Sequence, residues 1–119
     1  MTKLELIQGI LDQAKAEDIV VLDVHNLTTI ADTMVVASGT STRHVSSIAR
    51  KLDDEMRAHG YRPQGVEGAE TGEWVLVDLG DVIVHVMHPK TRAFYALEKL
   101  WSEEFARTDQ GQREALVRS

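Results

Sequence analysis

The sequence predicts a small α/β domain in which a mixed β-sheet packs against helices. Apolar residues recur at helical spacing in three segments, and short apolar runs of strand length lie between these segments. The predicted order of elements is α-β-β-α-(β)-β-β-α, and this interleaving is typical of a sheet covered by helices. A chain of 119 residues has room for one such domain with its own core.

The first third of the chain contains one helix and two strands. Thr2 and Glu5 match a capping box, in which each side chain serves a backbone N–H of the first turn, and they begin a helix over about residues 2–16. The continuous apolar run at 19–24 predicts a strand that is covered on both faces. Residues 33–37 predict a second strand.

A second helix follows the second strand. Thr40 or Ser41 is placed to cap its N-terminus, and Gly60 is placed to end it in the left-handed conformation. Its apolar stripe consists of Val45, Ile48, Ala49, Leu52 and Met56. A short edge strand is expected at about residues 64–66.

Residues 74–87 predict a β-hairpin whose tight turn places Gly80 at positive φ. If Asp78 pairs with Asp81, Trp74 lies opposite His85. Side chains alternate along each strand, so the hairpin has two different faces. One face is small and purely apolar, which suits a packed core: Val75, Val77, Val82, Val84 and Val86. The other mixes large amphipathic and polar groups, as protein-binding surfaces do: Trp74, Leu76, Asp78, Ile83, His85 and Met87.

A third helix is expected after the hairpin, with His88 as its cap and Pro89 at its first position. Its apolar residues are Ala93, Phe94, Leu97, Leu100 and Trp101. Beyond them the apolar pattern weakens. We therefore expect one domain over residues 1–101 and a C-terminal tail over residues 102–119 that is partly helical or mobile.

Composition excludes several classes of function. The chain has no cysteine, so disulfides, thiolate zinc sites, iron–sulfur clusters and cysteine nucleophiles are ruled out. Its 13 basic and 19 acidic residues give a net charge of −6, which disfavours binding to DNA or RNA and favours a basic protein partner. No apolar run approaches the roughly 20 residues that cross a bilayer. We expect a soluble, cytoplasmic protein without a membrane partner.

The candidate catalytic and ligand sites are weak. Residues 38–41 lie at a strand-to-helix junction and are interpreted as a capping turn, with a phosphate site as the less favoured alternative. A metal site would need converging carboxylates, whereas Asp23 stands alone and Asp78 flanks a turn. His85 and His88 would point to opposite faces of a strand, which disfavours joint ligation. We expect no metal, no cofactor and no catalytic residue.

Trp74 has two interpretations. An aromatic residue in a strand often fills the core, and composition alone does not separate that role from an exposed one. The residues on its face favour a binding role, because Asp78 and His85 do not belong in a dry interior without partners.

These segments resemble the ribosomal silencing factor family, also called RsfS, Iojap or YbeB. The resemblance covers about residues 1–101, in order and without large gaps. It rests on DIVVLDV at 18–24, ADTMVVASGTS at 31–41, EG and GEWVLVD within 67–78, GDVIVHV at 80–86, and RAFYALE and LW within 92–101.

The resemblance implies a fold like a reduced nucleotidyltransferase domain without the catalytic acids. It also implies binding to the large ribosomal subunit through that subunit's ribosomal protein fourteen, on the face where the subunits join. A bound member blocks joining and so represses translation when nutrients are short. Organelle relatives act in assembly of the large subunit, and free members are commonly homodimers.

Site residues follow from the resemblance position by position. Trp74 matches the family's tryptophan and is the expected interface anchor, while Arg92 and Tyr95 match an R-x-F-Y pattern, although helix packing explains Tyr95 equally well. The family usually has an aromatic residue where this chain has Met87, which fills the gap more loosely. The predicted partner-binding residues are Trp74, Leu76, Asp78, His85, Met87, Arg92 and Tyr95.

Two other functions remain open at this point. One is an enzyme of nucleotidyltransferase type, with a metal site built from Asp23, Asp32 or Asp78. The other is a homodimeric scaffold without a role at the ribosome.

Overall fold

The computed structural model describes residues 1–96 and Lys99, and its elements follow the predicted order. They are α1 (Lys3–Gln13), β1 (Glu17–Asp23), β2 (Thr33–Ser38), α2 (Thr42–Ala58), β3 (Gly65–Glu67), β4 (Trp74–Asp78), β5 (Val82–Met87) and α3 (Pro89–Tyr95). The predicted tail at 102–119 lies outside the described residues, as do Leu97, Leu100 and Trp101. Within the described part, no helix is long and apolar enough to cross a bilayer.

The strands form one five-stranded mixed sheet in the order β1-β2-β5-β4-β3. β2 and β5 run parallel, and the other neighbours are antiparallel. The predicted α/β class is therefore confirmed. Helices α1 and α2 cover one face of the sheet, and the predicted valine face of the hairpin lies in this core. Both the helical stripes and the alternating strand residues thus bury their apolar sides together.

Among residues 1–96 and Lys99, no long helix lies over the opposite face of the sheet. A smaller cluster of Val24, Met34, Val36 and Met87 is buried there, with Leu22, Leu27 and Trp74 packed against it. The segment between β1 and β2 supplies part of this cover. This second face is the one on which the sequence places its candidate binding residues.

The helix caps agree with the sequence. Both hydrogen bonds of the Thr2–Glu5 capping box are present, and Gly60 follows the cap residue of α2 with φ 87°. Of the two candidates for the cap of α2, Ser41 is the one used, because its Oγ accepts the His44 N–H at 3.1 Å. Pro89 opens α3.

Replacing the cap of α2 tests this assignment. We expect Ser41→Ala to lower the free energy of unfolding by about 1 kcal/mol, because the His44 N–H loses its acceptor at the helix end. The matched control is Thr40→Ala, one residue earlier, for which we expect a smaller loss. Urea unfolding at neutral pH measures both, and an equal loss in the two variants would contradict the assignment.

Helix α1 ends earlier than the predicted residue 16. The chain leaves the helix through Lys15, which has φ 64°, and the Ala16 N–H bonds to the Leu11 carbonyl while the Lys15 N–H bonds to the Asp12 carbonyl. This is the Schellman pattern, in which glycine usually takes the left-handed position. A lysine there gives no signal in the sequence, so the predicted end was wrong.

Strand β1 is not covered on both faces as predicted. Among the described strands it lies at the edge of the sheet and pairs with β2 alone. Val21 is exposed, and Ile19, Val20 and Leu22 are half-buried. A continuous apolar run is typical of central strands, but here it belongs to an edge strand. The burial of β1 follows from its position in the sheet, and no pattern in the sequence indicates that position.

The hairpin register differs from the predicted one by two residues. Asp78 pairs with Ile83 and Trp74 with Met87, so that Leu76 lies opposite His85. The connection is longer than predicted, with the Leu79 N–H bonded to the Val82 carbonyl. A shift of two leaves every side chain on its predicted face, because strand side chains alternate with a period of two.

The described part of the third helix is short. α3 ends at Tyr95, and Ala96 follows with φ 49° in the left-handed region. Ala93 and Phe94, expected among its apolar contacts, are exposed, and Phe94 is 82% exposed. The prediction of a packed apolar stripe was therefore wrong for these two residues.

Candidate protein-binding face

The candidate site lies on the sheet face opposite α1 and α2. We call it the indole face, defined by the side chains that β4 and β5 direct away from the core. These are Trp74, Leu76, Asp78, Ile83, His85 and Met87. Arg92 and Tyr95 of α3 follow β5 directly along the chain. The alternation of the two strands therefore brings the predicted hairpin residues onto one surface.

Trp74 is half-buried on this face, not sealed within the core. Its indole Nε1–H donates to Nδ1 of His85 at 2.9 Å, and the two rings are 5.8 Å apart at 49°. Tyr95 packs against the indole with ring centroids 4.9 Å apart at 50°, and is itself 53% exposed. An aromatic ring held by neighbours and still partly open is the arrangement found at the centres of protein interfaces.

His85 is buried, with 5% of its surface exposed. Burial lowers its pKa from the ordinary 6.5 to about 4, because the interior penalises the charged imidazolium, so the ring is neutral near pH 7. The indole can only donate, so Nδ1 of His85 accepts and Nε2 carries the proton. Among the described residues Nε2 has no hydrogen-bond partner.

Met87 does not belong to the accessible part of the face. It is fully buried in the cluster with Val24, Met34 and Val36. As a direct partner contact, the prediction for Met87 is corrected: its side chain lies on the predicted face but is enclosed in this cluster, against which Trp74 packs. Strand alternation gives the direction of a side chain, and it does not reveal what covers that side chain.

Asp78 and Arg92 already make contacts within the fold. One carboxylate oxygen of Asp78 accepts the Gly80 N–H at 2.9 Å and so stabilises the hairpin turn. Nη1 of Arg92 donates to Oγ of Ser38 at 2.8 Å. Both side chains, like that of Leu76, remain half-buried. With Ser38 engaged by Arg92 and Ser41 by the helix cap, residues 38–41 fit the capping-turn interpretation.

An apolar groove beside Trp74 was not predicted from the sequence. It has a volume of about 240 Å³ and is lined by Thr28, Ile30, Ala31, Met34, Leu76, Ile83 and His85. Ile30 stands at its margin and is 71% exposed. Residues 25–31 have neither helical nor strand periodicity, so no sequence pattern placed them over the sheet. The only signal is the presence of Leu27, Ile30 and Ala31 in a connecting segment.

The acidic residues proposed for a metal site lie in two places, with Asp23 and Asp32 at one groove and Asp78 in the hairpin turn. Asp23 contacts Nδ1 of His25 at 2.5 Å, which raises the pKa of His25 and lowers that of Asp23. Asp23, His25 and Asp32 line this second, open groove near the end of β1. Within residues 1–96 and Lys99, no three acidic or histidine side chains are grouped so that they could hold a metal ion.

Comparison with known proteins identifies the family. The sequence matches the family described as "RsfS: Ribosomal silencing factor during starvation" over residues 2–118. The chain belongs to this family. The resemblance noted in the sequence is thus confirmed, and it places the protein among factors that regulate translation at the ribosome.

Individual relatives agree with this assignment. The protein named Ribosomal silencing factor RsfS from Haemophilus influenzae is 42% identical over 102 residues, which cover 86% of this chain and 100% of the relative. The protein of the same name from Bacillus subtilis is 42% identical over 92 residues, covering 77% of this chain and 78% of the relative. A crystal structure of a Chromobacterium violaceum protein matches with a TM-score of 0.81 at 43% identity, covering 82% of both chains.

The RsfS family also has relatives in organelles. A mouse protein named Mitochondrial assembly of ribosomal large subunit protein 1 is 33% identical over 102 residues. These cover 83% of this chain and 45% of the mouse protein. The printed name connects that protein with assembly of the large subunit.

Proposed function

We propose that the protein binds the large ribosomal subunit through ribosomal protein fourteen of that subunit, and sterically blocks the joining of the small subunit in the cytoplasm. It would thereby repress translation when nutrients are limited. The observation that carries the proposal is the half-buried Trp74 on a sheet face that neither long helix covers. Membership of the RsfS family supplies the connection with the ribosome.

The chemistry of the indole face supports a protein partner. Trp74 and Tyr95 offer two amphipathic rings in contact, and the apolar groove beside them is open to a partner side chain. The chain carries a net charge of −6, which suits a basic ribosomal protein and would speed their encounter. Trp74, Leu76, Asp78, Arg92 and Tyr95 are the proposed direct contacts. Met87 is fully buried, and His85 reaches the surface only in the lining of the groove.

The proposed mechanism is steric and needs no catalytic group. A standard protein interface buries about 1,600 Å² in total, which a domain of 119 residues can provide on one face. The rest of the bound molecule then occupies space that the small subunit would require. The free protein is proposed to be a homodimer, which sedimentation equilibrium of the protein alone would measure.

The test is a subunit-joining assay with purified large and small subunits. We expect the fraction of joined ribosomes to fall as the protein is added, and to reach its minimum near one protein per large subunit. The effect should be the same with and without ATP, since no turnover is involved. Unchanged joining, at protein concentrations that saturate the large subunit in sedimentation, would contradict the blocking mechanism.

A second candidate function is assembly of the large subunit. The observation that favours it is the 33% identity to the mouse protein named for that process. Cells lacking the protein would then accumulate incomplete large subunits during rapid growth. Silencing predicts normal large subunits and a defect confined to nutrient limitation, so gradient profiles from the two growth conditions separate the two functions.

A further inference from the structure

Trp74 and His85 lie side by side on the indole face but differ in how far a partner can reach them. The indole is half-buried, whereas His85 is 5% exposed and the atom Nε2 is fully enclosed. The imidazole reaches the surface only where it lines the apolar groove, so a protein docking on this face meets far more of Trp74 than of His85. The main contribution of His85 to binding is therefore expected to act through a neighbouring residue.

The neighbour is identified by the hydrogen bond between the rings. The distance of 2.9 Å from Trp74 Nε1 to His85 Nδ1 is that of a normal N–H hydrogen bond. Trp74 Nε1 is a donor only, and Nδ1 of a neutral imidazole with its proton on Nε2 is an acceptor. Without this acceptor, the N–H of a half-buried ring would lose its partner in the fold.

The indole is held from a second direction by Tyr95. The two ring centroids are 4.9 Å apart, and Phe94 packs edge-on against Tyr95 at 5.1 Å. Aromatic packing resists tilting of the indole but does not select which edge of the ring faces His85 when the ring turns about the Cβ–Cγ bond. The hydrogen bond to His85 supplies that restraint. A ring fixed before binding loses less conformational entropy when the partner docks.

We infer that His85 is a positioning residue for Trp74: its Nδ1 accepts the indole proton and holds the ring in the orientation that meets the partner. The effect on ribosome binding rests on the proposed function. The hydrogen bond itself is a property of the free protein and is measured without the ribosome.

Two substitutions separate positioning from simple filling of space. His85→Leu keeps an apolar side chain of similar size but removes the acceptor. His85→Asn places an amide oxygen near the position of Nδ1 and so keeps an acceptor for the indole. If His85 positions the indole, His85→Asn should restore the slow indole exchange and the binding that His85→Leu loses. If His85 only fills space, His85→Leu should be the better tolerated substitution.

The first measurement is nuclear magnetic resonance of the free wild-type protein at pH 7. We expect ¹⁵N shifts that show Nδ1 of His85 without a proton and Nε2 with one. The Trp74 indole N–H resonance is assigned by comparison with Trp101→Phe. Its hydrogen should exchange slowly with solvent in the wild type, faster in His85→Leu, and slowly again in His85→Asn. A proton on Nδ1 of wild-type His85 would overturn the inference whether or not either variant folds.

The second measurement is binding of the same proteins to purified large subunits. Loss of one ordinary hydrogen bond predicts that His85→Leu binds roughly 2- to 10-fold more weakly, with most of the affinity restored in His85→Asn. Circular dichroism establishes that each variant is folded. Equal affinity of folded His85→Leu and wild type would overturn the positioning role. Failure of wild type to bind would instead overturn the proposed function, and the resonance data would still decide whether His85 holds the indole.

Discussion

Trp74→Glu is expected to leave a folded protein that no longer co-sediments with large ribosomal subunits. A tryptophan at the centre of an interface contributes about 2–4 kcal/mol on truncation, which corresponds to a roughly 30- to 1,000-fold loss of affinity. The charge adds to this loss, because a carboxylate would have to be desolvated against an apolar surface. The fold should tolerate the change, since the Trp74 side chain is half-buried and lies outside the main core.

The matched control for this experiment is Tyr61→Glu. Tyr61 is an aromatic residue with 38% exposure, and it lies against Lys3 of α1 on the helical side of the molecule. The control therefore introduces the same charge at an exposed ring away from the indole face. We expect it to co-sediment like the wild type. Retained co-sedimentation of Trp74→Glu would remove Trp74 from the interface, and loss in both variants would point to a general effect of charge.

Acidification is expected to destabilise the protein through His85. The pKa of this residue is about 4 in the folded protein and near 6.5 in the unfolded chain. Between these values the unfolded chain takes up a proton that the folded protein does not. The contribution is therefore fully favourable above pH 6.5 and is lost as the pH falls towards 4. At about 1.4 kcal/mol per pKa unit, the loss amounts to about 3 kcal/mol.

Comparison with His85→Leu isolates this contribution. Exposed carboxylates with lowered pKa values, such as Asp23 and Asp81, also reduce stability on acidification, but they are common to both proteins and cancel in the difference. We expect the variant to lose about 3 kcal/mol less than the wild type between pH 7 and pH 4, as measured by urea unfolding. Parallel stability curves for the two proteins would show that the buried imidazole does not exclude its proton.

Local chemistry explains which parts of the fold were predictable. The capping box at Thr2, the left-handed Gly60 and the valine face of the hairpin each rest on a short-range rule, and the structure contains all three. The end of α1 and the burial of β1 do not follow from such short-range rules. A lysine in a left-handed position has no sequence signature, and strand order in a sheet is set by contacts distant in sequence.

The candidate site divides in the same way. Strand alternation placed Trp74, Leu76 and His85 on one face, and this survived a register error because the error was an even number of residues. How deeply each of these side chains is buried was not predictable from the sequence. Met87 is buried in a cluster built from several elements, and a connecting segment without periodicity forms part of the groove beside Trp74. Neither feature follows from any pattern within the hairpin itself.

The parallel pairing of β2 with β5 affects when the protein becomes competent during its own synthesis. Thr33 pairs with Val82, so the central strands meet only after some fifty intervening residues have emerged. Closing so long a loop is entropically costly and favours late, cooperative folding over stepwise growth. A nascent chain that stops before β5 therefore lacks the strand that pairs with β4 and carries His85, so the surface around Trp74 is assembled only once nearly ninety residues have been synthesised.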